Sequence, residues 1–152
     1  MTTPAVDAAL IRCGSCEAVN RVPVKRLKEN PICGKCKRLL DFPMGPLNVS
    51  ADTFDRELAT WPETVVVEFL RKTCSICRTI DPAVEDIAFL RAGRLKVLRI
   101  DIDAEPALSL RYGIVTAPTF LVFKNTAQAA RLDGVPREKS ELLQWIEQHL
   151  SR

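Results

Sequence analysis

Long apolar stretches are absent from this sequence of 152 residues. No segment approaches the roughly 20 apolar residues that a helix needs to cross a membrane. The N-terminal end also lacks the basic and apolar regions of a secretory signal, because Asp7 interrupts its one apolar stretch. These absences predict a cytoplasmic location and no membrane partner.

Histidine and aromatic residues are scarce. The single histidine, His149, lies near the end of a predicted C-terminal helix, where solvation or pairing with the helix dipole accounts for it better than catalysis. Residues 1–41 contain no Phe, Trp or Tyr. This segment therefore has little hydrophobic core of its own, and it lacks the side chains that stack on nucleic acid bases.

Cysteine, by contrast, occurs six times, always in C-x-x-C pairs. Without an export signal, this number indicates a reducing compartment in which thiols bind metals or carry redox chemistry. The first two pairs, Cys13 with Cys16 and Cys33 with Cys36, have sixteen residues between them, which falls within the spacing of zinc sites. Disulfide bonds or an iron site are the alternatives for these four cysteines.

Four thiolates complete a tetrahedral zinc shell with no open position, so the predicted zinc site is structural. A glycine follows the first cysteine of each pair, where we expect a tight turn that needs a permissive backbone. The aromatic-poor segment around these cysteines is expected to fold only when metal is bound.

Basic residues are concentrated in the same segment. Residues 1–40 hold eight Lys or Arg and three Asp or Glu, a balance of +5 in a chain whose net charge is +3. Four thiolates and one Zn²⁺ lower that balance to +3, which is a weak electrostatic basis for binding phosphates. A nucleic acid partner is therefore not expected.

The third pair, Cys74 and Cys77, follows the apolar residues 65–70, and Ile80 and Val84 continue at helical spacing. This pattern predicts a buried strand and then a helix whose first turn holds Cys74. Free backbone N–H groups and the positive end of the helix dipole favour a thiolate there, and Cys77 lies one turn along, near enough to form a disulfide. We interpret the two as a redox pair, with half a metal site or two core cysteines as alternatives.

Two prolines and a glycine in residues 41–46 indicate a boundary. We therefore predict a zinc-ribbon module over residues 1–42, a linker over 43–46 and a second domain over 47–152. From residue 47 the patterns predict the order β, α, β, α, β, α, β, β, α, which is typical of an α/β fold with a mixed sheet flanked by helices. Glu68, within the apolar strand, is either a buried carboxyl with a raised pKa or a solvent-facing residue of an edge strand.

Several motifs occur together: a strand with one acid, a C-x-x-C pair opening a helix that contains Pro82, and V-T-A-P-T at residues 115–119. In this order they resemble the thioredoxin family over residues 47–150. The four-cysteine segment resembles the N-terminal zinc module of thioredoxin-2 proteins. The resemblance implies a thioredoxin fold preceded by a small zinc ribbon, and a thiol–disulfide oxidoreductase activity.

The resemblance also implies roles for individual residues. It makes Cys74 the nucleophile and Cys77 the resolving thiol. Glu68 occupies the position of the family's buried carboxylate, which moves a proton to or from the second cysteine. Pro118 matches the family's cis-proline, and Ala117 before it presents its backbone to an extended substrate. Thr73, beside the first cysteine, is assigned to the same substrate-binding surface.

The sequence departs from the family's usual W-C-G-P-C-K motif, because residues 73–78 read T-C-S-I-C-R. Ile76 restores a backbone N–H that proline lacks, and Arg71, Lys72 and Arg78 add positive charge. Both changes favour the reduced form and predict a reduction potential less negative than that of ordinary thioredoxin. Glu68 is one methylene longer than the family's usual Asp, and Arg99 stands where the family often has lysine.

The partners implied by the resemblance are protein disulfides as substrates and thioredoxin reductase or a similar reductant. No bound organic cofactor is implied. Two other functions remain open at this point: a redox-inactive scaffold or chaperone that has kept the fold, and a redox sensor in which oxidation removes zinc from the four-cysteine site.

Overall fold

A computed structural model describes residues 8–150 of the chain. The expectation that no secretory signal is present rests on residues 1–7, which lie outside the described residues. Among the helices of residues 8–150, none combines the length and apolar character needed to span a bilayer.

The N-terminal module is built on a two-stranded antiparallel sheet of β1 (Ala8–Arg12) and β2 (Val19–Pro23). A short 3-10 helix, Val24–Arg26, follows β2. Strand alternation turns every second side chain of β1 inward, and Ala9 and Ile11 are accordingly buried.

The second part of the chain forms a five-stranded sheet with helices on both faces. The strands are β3 (Leu47–Asn48), β4 (Thr64–Leu70), β5 (Leu95–Asp101), β6 (Thr119–Lys124) and β7 (Ala127–Asp133), in the spatial order β3-β5-β4-β6-β7. The helices are α1 (Ala51–Ala59), α2 (Ser75–Leu90), α3 (Pro106–Arg111) and α4 (Lys139–Gln148). Strands β3, β5 and β4 are parallel to one another. Strand β6 pairs antiparallel with β4, and β7 pairs antiparallel with β6. The element order predicted from the sequence is confirmed.

Helices α2 and α4 cover one face of the sheet, where Ile80 and Ile146 pack against Val66 of β4. The other face packs against Phe54 of α1 and Leu108 of α3. Strand β4 lies between β5 and β6, so it is a central strand and not an edge strand.

The core of the second part continues into the N-terminal module, because Ile11 and Leu27 belong to the same buried cluster as Phe54. The backbone N–H of Leu10 donates to Oε2 of Glu63 at 3.1 Å, immediately before β4. Leu27 packs so closely on Gly93, before β5, that a Cβ there would approach its methyl carbons to 2.9 Å. The module therefore lies at the amino ends of the parallel strands.

Candidate functional site

Cys74 lies at the opposite, carboxyl end of β4. It is the N-cap residue of α2 and is joined to Cys77 by a disulfide, as the spacing predicted. The backbone N–H of Cys77 donates to Cys74 Sγ at 3.1 Å. Cys77 is 2% exposed and Cys74 is half-buried, so Cys74 offers the accessible sulfur.

The loop before β6 meets the start of α2. The peptide bond between Ala117 and Pro118 is cis, and the carbonyl oxygen of Ala117 lies 3.7 Å from Cys74 Sγ. The hydroxyl of Thr119 donates to the carbonyl oxygen of Thr116 at 2.6 Å and ties the two ends of this loop together. The fold thus brings the C-x-x-C segment and the proline loop together, although they are some forty residues apart in sequence.

Side chains around the disulfide are exposed and partly apolar. Thr73 is exposed beside Cys74, Ile76 is 46% exposed within the C-x-x-C segment, and Val115 is 81% exposed in the loop that leads to Ala117. Exposed aliphatic groups beside a reactive sulfur can contact an extended chain. The sequence patterns did not single out Val115 for this surface.

Two of the three basic side chains expected beside the thiolate, Arg71 and Arg78, are engaged with other groups. Arg71 pairs with Asp103 at 3.2 Å, and the guanidinium of Arg78 donates to the carbonyl oxygen of Lys72 at 2.8 Å. The backbone donor to Cys74 Sγ is the N–H of Cys77, whereas the sequence predicts a contribution from that of Ile76.

Glu68 is fully buried on the central strand, which excludes the solvent-facing alternative. The Nε of Arg99 donates to its Oε1 at 3.0 Å. Burial raises the pKa of Glu68 to about 7, because the hydrogen bond and charge of Arg99 offset only part of the lost solvation and the charge of Asp81 opposes ionisation. The raised pKa expected for a buried carboxyl is therefore confirmed.

Arg99 is shared among three carboxylates. Besides Glu68, it pairs with Asp81 through Nη2 at 3.1 Å and lies 3.6 Å from Glu85 through Nη1. The sequence patterns did not single out Asp81. Its position four residues after Cys77, on the same face of α2, was the signal that could have identified it.

A second cluster lies in the N-terminal module. The Sγ atoms of Cys13, Cys16, Cys33 and Cys36 all lie within 4.8 Å of one another. Two of these separations, Cys13 to Cys36 and Cys16 to Cys33, are 3.6 Å. A tetrahedral ion bound by sulfur at about 2.3 Å requires sulfurs about 3.8 Å apart, so the four cysteines fit such an ion.

The two cysteine pairs fold alike. In each, the sulfur of the first cysteine accepts hydrogen bonds from two backbone N–H groups. Cys13 accepts from Ser15 and Cys16, and Cys33 accepts from Lys35 and Cys36. The N–H of Cys36, followed by the Asn20 side chain, contributes most to lowering the pKa of Cys33 to about 6. Such hydrogen bonds favour the thiolate that a metal requires.

Gly14 and Gly34 were expected to provide the permissive backbone of a tight turn, and this expectation is wrong. The left-handed residue of each turn is the one after the second cysteine, Glu17 or Lys37, with φ of 66° in both. Gly34 instead donates its N–H to Oδ1 of Asn20 at 2.8 Å, while the Asn20 amide donates to the Ala18 carbonyl oxygen. Asn20 therefore links the two cysteine turns, a role that no sequence pattern indicated.

Comparison with known proteins extends the likeness over both parts of the chain. Residues 45–148 match the sequence model of the Thioredoxin family, and residues 12–38 match the model described as Thioredoxin 2, N-terminal. Thioredoxin C-3 of Corynebacterium nephridii is 29% identical over 143 residues, which cover 94% of this chain and 97% of that protein. A thioredoxin of Rickettsia bellii (strain RML369-C) is 33% identical over 103 residues, or 68% of this chain and 97% of the relative.

A solved structure, that of a mutant thioredoxin from Halobacterium salinarum NRC-1, superposes with a TM-score of 0.65 at 26% identity, covering 74% of this chain and 96% of that one. The fold predicted from the motifs is confirmed, and the four-cysteine cluster corresponds to the zinc-ribbon part of the second family model. With the disulfide at the start of α2 and a family model matched over residues 45–148, the chain belongs to the thioredoxin family of thiol–disulfide oxidoreductases.

Proposed function

We propose that the chain reduces or exchanges protein disulfides through Cys74 and Cys77. The thiolate of Cys74 attacks one sulfur of the substrate disulfide, forms a mixed disulfide and expels the other sulfur as a thiolate. The thiolate of Cys77 then attacks Cys74 Sγ, which closes the intramolecular disulfide and releases the second substrate sulfur. The observation that carries this proposal is the accessible Cys74 sulfur, 3.1 Å from the N–H of Cys77, with Cys77 buried behind it.

Glu68 is assigned to proton transfer with Cys77 in this scheme. A carboxyl whose pKa is raised to about 7 exchanges its proton readily at neutral pH, and such matching makes a group an effective acid or base. In the resolving step its carboxylate accepts the proton of the Cys77 thiol. In the reverse direction its carboxyl returns that proton.

Substrate binding is assigned to the loop of Ala117 and Pro118 together with Thr73. The carbonyl oxygen of Ala117, close to Cys74 Sγ, is placed to accept a backbone hydrogen bond from an extended segment beside the substrate disulfide. The exposed side chains of Ile76 and Val115 are available for apolar contact with the substrate. Recognition through backbone groups suits an enzyme that acts on many protein disulfides.

The metal of the four-cysteine cluster is proposed to be Zn²⁺ in a structural role. Four thiolates satisfy a tetrahedral ion and leave no position for substrate. Zinc would supply folding energy to the N-terminal module and no redox step. On this basis we divide the chain into a zinc ribbon over residues 1–42, a linker over 43–46 and the thioredoxin domain over 47–152.

The reductant is proposed to be thioredoxin reductase or a similar protein, with no organic cofactor bound to this chain. A cytoplasmic location agrees with this scheme, because the four cysteines of the ribbon must stay reduced to bind metal. Protein disulfides are the substrates, and neither a membrane nor a nucleic acid partner is proposed.

Replacing Cys77 by serine tests the division of labour between the two cysteines. The Cys77→Ser variant is expected to accumulate a mixed disulfide on Cys74, because the resolving thiolate is missing. Mass spectrometry after incubation with oxidised insulin measures the adduct, and dithiothreitol should release it. Cys74→Ser is the matched control and should form no adduct. If Cys77→Ser forms no adduct, or if the native chain reduces insulin only at the background rate, the redox-inactive scaffold is favoured instead.

The reduction potential of the Cys74–Cys77 couple provides a further prediction. We expect a value less negative than the roughly −270 mV of thioredoxin, because the N-terminal end of α2 and the positive charges of Lys72 and Arg78 favour the thiolate of the reduced form, whereas Asp103 offsets the charge of Arg71. Equilibration with glutathione buffers, followed by alkylation of free thiols, measures the potential. A value at or below roughly −270 mV would contradict the prediction.

A further inference from the structure

The buried carboxyl of Glu68 is only half satisfied. Its Oε1 accepts the Nε–H of Arg99 at 3.0 Å, whereas its Oε2 is buried and has no hydrogen-bond partner among the described residues. A guanidinium usually binds a carboxylate through two parallel N–H···O bonds, and the pair formed by Nε and Nη2 is one of the two edges that can do so. Here Glu68 accepts a hydrogen bond from Nε and none from Nη2.

The second half of the same edge is held by Asp81. The Nη2 of Arg99 carries two N–H groups and donates one of them to Oδ1 of Asp81 at 3.1 Å, and among the described residues neither reaches Oε2 of Glu68. Glu85 lies against the remaining nitrogen, Nη1, at 3.6 Å, away from the edge that faces Glu68. Asp81 and Glu85 thus differ in which part of the guanidinium they engage.

We propose that Asp81 is a positioning residue that holds Nη2 of Arg99 away from Glu68 and thereby keeps Oε2 of Glu68 available for the proton of Cys77. This rests on the role proposed above for Glu68. When Cys77 is deprotonated, the proton passes to Oε2, and the Cys77 thiolate attacks Cys74 Sγ. The substrate thiolate leaves with the electron pair of the broken bond.

The charged surroundings of Glu68 are consistent with this role. From β5 it faces Arg99, from β6 it is paired with the apolar Phe120, and from α2 the charge of Asp81 raises its pKa. A cavity of about 440 Å³ is lined by Arg99 and Asp81, with Lys72 and Asp101 also on its wall. Asp81 is half-buried at this opening, whereas Glu68 is fully buried.

Two alanine substitutions in α2 compare the carboxylates that contact Arg99, and Asp81→Asn then separates positioning from charge. Asp81→Ala and Glu85→Ala each remove one carboxylate that pairs with Arg99. Only Asp81→Ala removes the bond that holds Nη2 on α2, so only this variant lets the guanidinium turn and bind both oxygens of Glu68. We expect the titration midpoint of Glu68 to fall by about one pH unit or more in Asp81→Ala, because its carboxylate gains a second hydrogen bond from Arg99 and loses the neighbouring negative charge. In Glu85→Ala it should move by less than a third as much.

Carbon-13 NMR of the glutamate carboxyl groups in the oxidised full-length chain measures this midpoint, and the signal that disappears in Glu68→Gln identifies Glu68. Asp81→Asn, which keeps an oxygen acceptor for Nη2 without the charge, should restore part of the native midpoint. Because the charge of Asp81 itself raises the pKa of Glu68, a midpoint as low in Asp81→Asn as in Asp81→Ala would assign the shift to charge and overturn the positioning role. The pH profile of resolution of a preformed mixed disulfide should move in the same direction in Asp81→Ala. Equal shifts in the two alanine variants, or no shift in either, would overturn the positioning role of Asp81. An unchanged resolution rate in Glu68→Gln would instead overturn the role of Glu68.

Discussion

Removal of the metal from the four-cysteine cluster is expected to destabilise the whole chain and not only the N-terminal module. Cys13 and Cys33 are 1% and 0% exposed and belong to the same buried cluster as Ile11 and Phe54. When the cluster opens, the packing of β1 on the second domain is lost with it. We expect the free energy of unfolding to fall by at least about 3 kcal/mol, which lowers Tm by about 6–12 °C for a chain of this size.

Calorimetry with and without a zinc chelator measures this loss, and metal analysis confirms removal. The double variant Cys16→Ser with Cys36→Ser should reproduce it without a chelator, because it removes one ligand from each turn. Ser15→Ala is a suitable control, since this exposed residue contributes its backbone N–H and not its side chain to Cys13. A low-temperature transition confined to the module, with the main transition unmoved, would show that the two parts fold independently.

The sequence predicted the elements that local patterns determine. The apolar residues 65–70 and the helical spacing after Cys77 gave β4 and α2, and the turn between them placed Cys74 at a helix start. The grouping of Cys13, Cys16, Cys33 and Cys36 in one cluster followed from their spacing. In these cases the chemistry depends on residues close together in the chain, where periodicity is informative.

Contacts between distant residues could not be obtained in this way. The side chain of Asn20 that links the two cysteine turns belongs to no motif in the sequence, and its role depends on how β2 meets residue 34. The site of module packing, at Leu27 and Gly93, likewise depends on tertiary structure. The choice between a buried and an exposed Glu68 required the strand order, because a central and an edge strand can carry the same local pattern.

Replacing Glu68 by glutamine is expected to stabilise the oxidised chain at alkaline pH. The folded-state pKa of about 7 lies above the ordinary value of 4.5, so the folded chain binds this proton more tightly than the unfolded chain. The associated stability is present below pH 4.5 and is lost as the pH rises through 7. Between these limits the native chain should lose about 3 kcal/mol, whereas the variant should lose none of this contribution.

Urea unfolding of the oxidised proteins at pH 5 and pH 8 measures the difference. Arg99 keeps Asp81 and Glu85 as partners in Glu68→Gln, so the substitution does not leave a buried charge unpaired. Glu85→Gln is the matched control, because its side chain is 58% exposed and should leave the pH dependence unchanged. If the free energy of unfolding falls by the same amount between pH 5 and pH 8 in the native chain and in Glu68→Gln, Glu68 is not the group responsible.

The same substitution should lower activity while it raises stability. Glutamine cannot accept the proton of Cys77, so resolution of the mixed disulfide on Cys74 should slow by about 100-fold near neutral pH, as for loss of a general base. Stopped-flow measurement of substrate release from a preformed adduct separates this step from the initial attack, which should be unaffected. A buried carboxyl that is costly to ionise, and whose second oxygen has no partner within residues 8–150, is thus expected to be retained for proton transfer at the expense of stability. A variant that is more stable and equally fast would contradict that expectation.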